Sequence, residues 1–391
     1  MLQSDMTPKD KSNGVPPFHS PSKLPSPKQM SPEEILSPLT ETNMQLEDLD
    51  EEDDWGQFEN SWIAPGFNSM EMHEKLRQSV NSEGGGSFDQ AHLYVDHQSS
   101  ADWDAITNNE EYMTAQNDIP LDDAIRAIKT QLESFPHLSQ NAINIIALGP
   151  GDAQSEIILV KKLVSQTPIK KVRLCLLDIS QPLLSNARDH AERALRGYPG
   201  VRVTACSGDF YQLHKYDRLT KLTKSNKRLT LVTMLGYTFG NLINERRFVL
   251  DQLNAFTKNT FLLMDLVVAF APSDQREEIM KNDPWLSGES RWQKSTETFL
   301  EGPLRRYRKG IGESSTIQFS VKLDDDTRRT IPKSYCVEMH ASLPDKSEFC
   351  MRFFKRYEIN PFLKCMESDG WKSIDAWRFG QNRLLSLLKR K

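Results

Sequence analysis

The sequence predicts an α/β fold: a doubly wound parallel sheet with a disordered tail before it and an antiparallel, β-rich lobe after it. Three observations predict it. Short apolar runs alternate with amphipathic helical patterns through the middle of the chain, a proline-rich and acidic stretch precedes them, and strand-like runs with no helices between them follow. Strands separated by helical segments of about ten to fifteen residues imply right-handed crossovers and parallel pairing.

Residues 1 to 45 are rich in Pro, Ser and Lys and lack apolar periodicity, so they cannot bury enough surface to offset the entropy of ordering. The acidic run of residues 47–54 and the aromatic patch Trp55, Phe58, Trp62, Phe67 come next. They read as a solvated tail or as a short motif for a protein partner. Gly84-Gly85-Gly86 reads as a flexible break, and the tail is expected to run through residue 95.

In residues 122–135, Ile125, Ile128, Leu132 and Phe135 fall at helical spacing, so this segment should pack one face on a core. Strands are expected at 143–148, 172–177, 201–206, 229–235 and 261–266, with helices at 152–164 and 181–195. This cofactor-sized unit spans 96–270. Residues 271–391 should form a substrate lobe that completes the sheet. It holds a helical stretch with Trp285 and Trp292, strands near 317–323, 335–341 and 349–357, a helix at 361–368, and strands at 371–379 and 384–388.

A net charge of -5 gives no basic field for collecting phosphates, which argues against nucleic acid as a partner. The five cysteines are scattered with no C-x-x-C pair, and the eight histidines show no i, i+4 pair, so no metal site is expected. With no signal-like start and no long apolar run, the chain is expected to be cytoplasmic and independent of membranes.

Chemistry concentrates at the ends of the expected strands. The first ends in Gly149-Pro150-Gly151-Asp152 and leads directly into a helix. Glycines there let the backbone turn tightly and approach a ligand closely. The third glycine of a nicotinamide fingerprint is missing, since Ala153, Gln154 and Ser155 follow. A cofactor without a pyrophosphate, such as S-adenosylmethionine, does not require it. The second strand ends at Asp178, a carboxylate placed either to accept hydrogen bonds from ribose hydroxyls or to cap the next helix. The third leads to Asp209-Phe210, suited to an adenine amino group and ring. The fourth leads to residues 236–241, GYTFGN, in which Gly236 faces the sulfonium while Tyr237 and Asn241 orient the methyl acceptor; alternatively Asn241 caps a helix starting near Glu245.

Taken in order, these blocks resemble the histidine N-alpha-methyltransferase family of ergothioneine biosynthesis, whose motif G-S-T-I-G-N-L matches Gly236-Tyr237-Thr238-Phe239-Gly240-Asn241-Leu242. The resemblance implies a Rossmann-like methyltransferase in which Gly149, Asp178, Asp209 and Phe210 contact S-adenosylmethionine and Asn241 holds an amino-acid head group, with Gly151 joining the cofactor contacts through the turn it shares with Gly149. Glu111-Tyr112-Met113-Thr114 is similar to the family's E-Y-Y-x-T segment, which implies that Tyr112 contacts the substrate amine. Two departures stand out. Ser155 occupies the place of a cofactor-binding lysine, and Arg352 and Phe354 fall where the family reads imidazole with Glu and Ser. A guanidinium in place of a carboxylate inverts the pocket's charge preference, which argues against histidine as the acceptor.

The function expected from the sequence is therefore S-adenosylmethionine-dependent N-methylation of an amino acid, small amine or peptidyl amine. A second reading is a methyltransferase-like protein that binds the cofactor weakly and acts through its N-terminal tail. The basic run of residues 305–309 is expected to be a solvated face, and residues 324–326 an exposed turn.

Overall fold

A computed structural model describes residues 61–108, 118–135, 141–216, 219, 228–288, 294–324 and 328–391. The described strands are β1 (Ser61–Ile63), β2 (Gly85–Ser87), β3 (Ala142–Leu148), β4 (Lys171–Asp178), β5 (Val201–Ser207), β6 (Leu229–Met234), β7 (Thr260–Val267), β8 (Gln318–Asp324), β9 (Ser334–Ser342), β10 (Glu348–Tyr357), β11 (Trp371–Phe379) and β12 (Arg383–Arg390). The helices are α1 (Ser69–Val80), α2 (His97–Thr107), α3 (Leu121–Glu133), α4 (Gln154–Gln166), α5 (Gln181–Leu195), α6 (Glu245–Asp251), α7 (Arg276–Asn282), α8 (Lys294–Tyr307) and α9 (Ile359–Ser368).

Eight strands form the main sheet in the order β1-β5-β4-β3-β6-β7-β12-β11. The first six are parallel, and β12 and β11 close the edge antiparallel. The sequence of β3, AINIIAL, is buried at every position because helices cover both faces. Alternation then sorts its side chains. Ile143 and Ile145 pack with the apolar stripes of α3, α4 and α5, while Ile146 and Leu148 pack with Phe248 of α6 and Phe362 of α9. The chain leaves β3 toward β4 on one side and β6 on the other, so a topological switch point lies at its carboxyl end, the place where open α/β sheets bind ligands. This is the Rossmann-like doubly wound sheet expected from the sequence.

The second sheet, in the order β2-β10-β9-β8, is antiparallel except where β2 joins β10 in parallel. Ala269 N–H donates to Tyr357 O at 2.9 Å, tying this sheet to the segment after β7. The described residues belong to one compact unit with no division near residue 270.

The tail expected through residue 95 is corrected over residues 61–95. Strand β1 extends the main sheet, and Trp62 and Phe67 pack on its core. Met72, Leu76 and Val80 of α1 bury their helical stripe with Phe88 and Leu93 against Met339 and Phe349 of the second sheet. The partners of these residues lie far along the chain, with Ser61 opposite Ala205 and α1 on Met339 and Phe349. The glycine cluster is also corrected, since it forms β2. The basic run is not a solvated face: Arg306 pairs with Asp96 at 3.0 Å and Arg308 with Asp345 at 2.7 Å, and Arg308 also donates to Val80 O at 2.6 Å. Residues 1–60, with the acidic run, Trp55 and Phe58, lie outside the described residues, as do Trp292 and residues 325–327.

Gly85 shows why the cluster is glycine. Its φ is +103°, and a Cβ there would sit 1.8 Å from the carbonyl oxygen of Glu348 on the neighbouring strand. Gly85→Ala is expected to destabilise the fold by on the order of 2 kcal/mol or more through strain and lost pairing. Gly312→Ala, at a position with open space, is expected to stay within about 0.5 kcal/mol of wild type. Denaturant melts of the two variants check the contrast.

Candidate functional site

At the carboxyl ends of β3, β4 and β6 the structure forms a cleft enclosing about 930 Å³ of empty space, its open mouth included. Its floor is the turn after β3. Gly149, Gly151 and Ala153 take φ values of +64°, +59° and +60°, so the backbone reverses in three left-handed steps before α4 begins. Gly149 N–H donates to Leu177 O at 2.9 Å, locking the turn to β4. A Cβ on Gly149 would lie 3.0 Å from Thr238 Cγ2 and 3.7 Å from the Phe210 ring, so the glycine keeps the cradle open between these two walls.

Asp178 is buried at the end of β4 and lines the cleft. Its Oδ1 accepts from Ser180 N–H at 2.8 Å, while the capping of α5 falls to the Ser180 hydroxyl, which accepts from Leu183 N–H. The capping alternative for Asp178 is thus taken by its neighbour. Burial pushes the Asp178 carboxyl up to about 6. Glu156, in the first turn of α4, lines the same cleft, accepts from Thr233 Oγ1 at 3.1 Å, and is pushed by burial up to about 7. With Asp89 and Asp152 these residues make the cleft acidic, and Arg352 is its single cationic lining residue among those described. Such a cleft attracts a cationic ligand.

After β5, Phe210 lines the cleft, but Asp209 does not. Asp209 faces a neighbouring groove and caps its own turn by accepting from Tyr211 N–H at 2.8 Å. After β6, Gly236 (φ +77°) and Asn241 line the cleft, whereas Tyr237 is turned out of it. The Tyr237 backbone N–H is held by Asp265 at 3.0 Å and its ring lies 4.5 Å from the guanidinium of Arg383, which pairs with Asp265. This corrects the expectation that its hydroxyl meets the methyl acceptor. The cap of α6 is Asn244, which accepts from Arg247 N–H at 2.9 Å, so Asn241 is free of that duty. Its Oδ1 is buried with no hydrogen-bond partner among the described residues. Tyr112 lies outside the described residues.

The remaining wall comes from residues that sequence reasoning placed in the tail or passed over. Gln90 donates through Nε2 to Phe353 O at 3.0 Å and to Asn241 O at 3.3 Å, clamping the β6 loop to β10. Tyr94 and Trp103 meet edge to face at 5.2 Å beside the glycine turn. Nothing local in the sequence marks these three, because only the long-range pairing of residues 61–107 brings them to the sheet edge. Lys355 is buried, donates to Leu242 O at 2.8 Å and Ile243 O at 3.0 Å, and pairs with the buried Glu245.

Glu338, His340 and Cys350 come together on the second sheet with ligand atoms within 4.8 Å, a grouping that histidine spacing did not reveal. Arg328 occupies it, pairing with Glu338 at 2.5 Å and approaching Cys350 Sγ at 3.6 Å, and none of the three lines the cleft.

The raised carboxyls set a pH dependence. Glu156 and Asp178 hold protons more tightly folded than unfolded, so their contribution to stability is full below the ordinary carboxyl range and is lost as pH rises through about 6 and 7. Glu156→Gln, which keeps an acceptor for Thr233, is expected to melt several degrees above wild type at pH 8 and to converge with it near pH 4. Melting temperatures of both proteins across that range test this, and a constant offset would contradict it.

A family model for the S-adenosylmethionine-dependent, histidine-specific methyltransferases matches residues 71–269, just over half of the chain. No curated protein matches the chain significantly in sequence. Among solved structures, the magnesium protoporphyrin IX methyltransferase of Synechocystis PCC 6803, with bound S-adenosylhomocysteine, covers 76% of this chain and 97% of its own at 10% identity and a TM-score of 0.37. A Leishmania major S-adenosylmethionine-dependent methyltransferase covers 81% and 91% at 11% identity and a TM-score of 0.35. The 1,6-didemethyltoxoflavin-N1-methyltransferase of Burkholderia thailandensis covers 75% and 89% at 6% identity and a TM-score of 0.36. With the family match over its cofactor half, the chain belongs to the histidine-specific, S-adenosylmethionine-dependent methyltransferase family, and S-adenosylmethionine is its cofactor.

Proposed function

We propose that the chain methylates the nitrogen of an amino acid, small amine or peptidyl amine. The observation that carries this reading is the buried Oδ1 of Asn241, unpaired among the described residues, in a cleft whose described lining holds four acidic side chains and one cation. A carbonyl oxygen can only accept, so it calls for an N–H or O–H donor, and an acid-lined cleft favours a donor that carries or develops positive charge. An amine meets both demands.

The residues present fit the cofactor. In this reading the cleft-lining Asp178 accepts from the ribose hydroxyls, Phe210 packs on the adenine, and the Gly149–Gly151 turn lets the backbone approach the nucleoside closely. Asp209 contributes by holding the turn that presents Phe210. When bound, S-adenosylmethionine supplies a methyl group on a sulfonium that is activated for displacement. The protein's share is alignment: Asn241 Oδ1 accepts one N–H of the acceptor and turns the nitrogen lone pair toward the donor, while Gln90 and Lys355 fix the loop that carries it. The acceptor nitrogen must be unprotonated before attack, so transfer is expected to rise with pH toward the acceptor's own pKa.

Labelled methyl transfer into a metabolite extract, with calorimetry of S-adenosylhomocysteine binding alongside, tests this reading. Wild type is expected to label amines, and Asn241→Ala to lose transfer by about 100-fold with little change in S-adenosylhomocysteine affinity. No S-adenosylhomocysteine binding at millimolar ligand would overturn the enzyme reading and favour the alternative of an interaction protein. Asp178→Ala is expected to abolish nucleoside binding.

A further inference from the structure

We propose that Arg352 is the carboxylate receptor of the cleft, a proposal that rests on the cofactor-site reading above. The strongest observation is a contrast within one strand. Of the cations that β10 buries near the sheet edge, Lys355 pairs with Glu245 and Arg356 with Asp283 at 3.2 Å. Across the main sheet the buried Arg383 pairs with Asp265. Arg352 is only 8% exposed, yet among the described residues it makes no ion pair with a carboxylate and its buried Nε has no hydrogen-bond partner.

Its surroundings are aromatic. The guanidinium lies 4.6 Å from the Phe354 ring and 5.3 Å from the Trp103 ring, which hold it in place and leave its donors to be satisfied by something else. Stacking on two rings contributes less than desolvating an unpaired guanidinium costs, so a ligand anion is the natural remaining partner. Trp103 in turn places its Nε1 3.8 Å from where a Cβ of Gly151 would stand, so Arg352 is connected through one ring to the glycine turn.

The anion must also be explained by the cleft's charge. Asp89, Asp152 and Asp178 line it and repel a carboxylate, Glu156 joins them as pH rises past about 7, and Arg352 is the one described lining residue able to neutralise one. The fork of a guanidinium accepts a carboxylate through two parallel hydrogen bonds. Two sources bring this group: the methionine end of the cofactor, and an acceptor that is itself an α-amino acid. Ser155, a neutral residue at the start of α4, also lines the cleft and offers no charge for either.

Calorimetry of wild type, Arg352→Gln and Arg352→Lys separates the sources. S-adenosylhomocysteine carries the carboxylate and methylthioadenosine lacks it, while amino acids and their amides probe the acceptor arm in the presence of saturating S-adenosylhomocysteine. If the cofactor is the source, Arg352→Gln weakens S-adenosylhomocysteine by about 10- to 100-fold, leaves methylthioadenosine unchanged, and Arg352→Lys recovers part of the loss. If the acceptor is the source, both nucleosides bind unchanged and the preference of wild type for amino acids over their amides disappears in the variant. Unchanged methylthioadenosine affinity also shows that the variant is folded. Loss in neither arm overturns the proposal while leaving the cofactor site intact, and failure of wild type to bind either nucleoside would sink the cofactor-site reading instead.

Discussion

Lys355 is the fastening on which the site depends. Its ammonium has no solvent, and it satisfies itself on Leu242 O, Ile243 O and the Glu245 carboxylate, all in the segment that follows β6. Removing one partner of such a buried pair costs about 3–5 kcal/mol, because the other charge is left stranded. The pair therefore works as a register pin: it fixes where the second sheet meets the cofactor edge of the first.

From that pin the rest of the cleft follows. Once β10 is held against the β6 loop, Gln90 can reach both, and the backbone of Asn241 is clamped while its Oδ1 has no partner among the described residues. Residues 61–107 then pack over the second sheet and deliver Tyr94 and Trp103 to the sheet edge. Asp152, Glu156 and Asp178 follow strands of the first sheet, while Asp89 and Arg352, the one described lining cation, come from the side of the second.

Legibility in the sequence tracked the range of the interactions involved. Strands β3, β6 and β7 announced themselves because a covered parallel strand is a nearly continuous apolar run, and Asp178 and Phe210, expected at the ends of β4 and β5, line the cleft. The helix caps were nearly legible: Ser180 and Asn244 cap where Asp178 and Asn241 had been alternatives. Tyr237 misled because its φ of +66° turns the side chain away from the loop's concave face, a backbone feature that residue identity does not encode outside glycine. The N-terminal wall was illegible since β2 is three residues of GGS whose only reason to be a strand is Glu348 across from it.

The most direct measurement is a crystal structure of the chain with S-adenosylhomocysteine. The expected result has the ribose hydroxyls on Asp178, the adenine against Phe210, and the sulfur directed toward Asn241 on the floor made by Gly149 and Gly151. A nucleoside seated in the neighbouring groove beside Asp209 and His214, with the cleft at Asp178 empty, would contradict the assignment of the site.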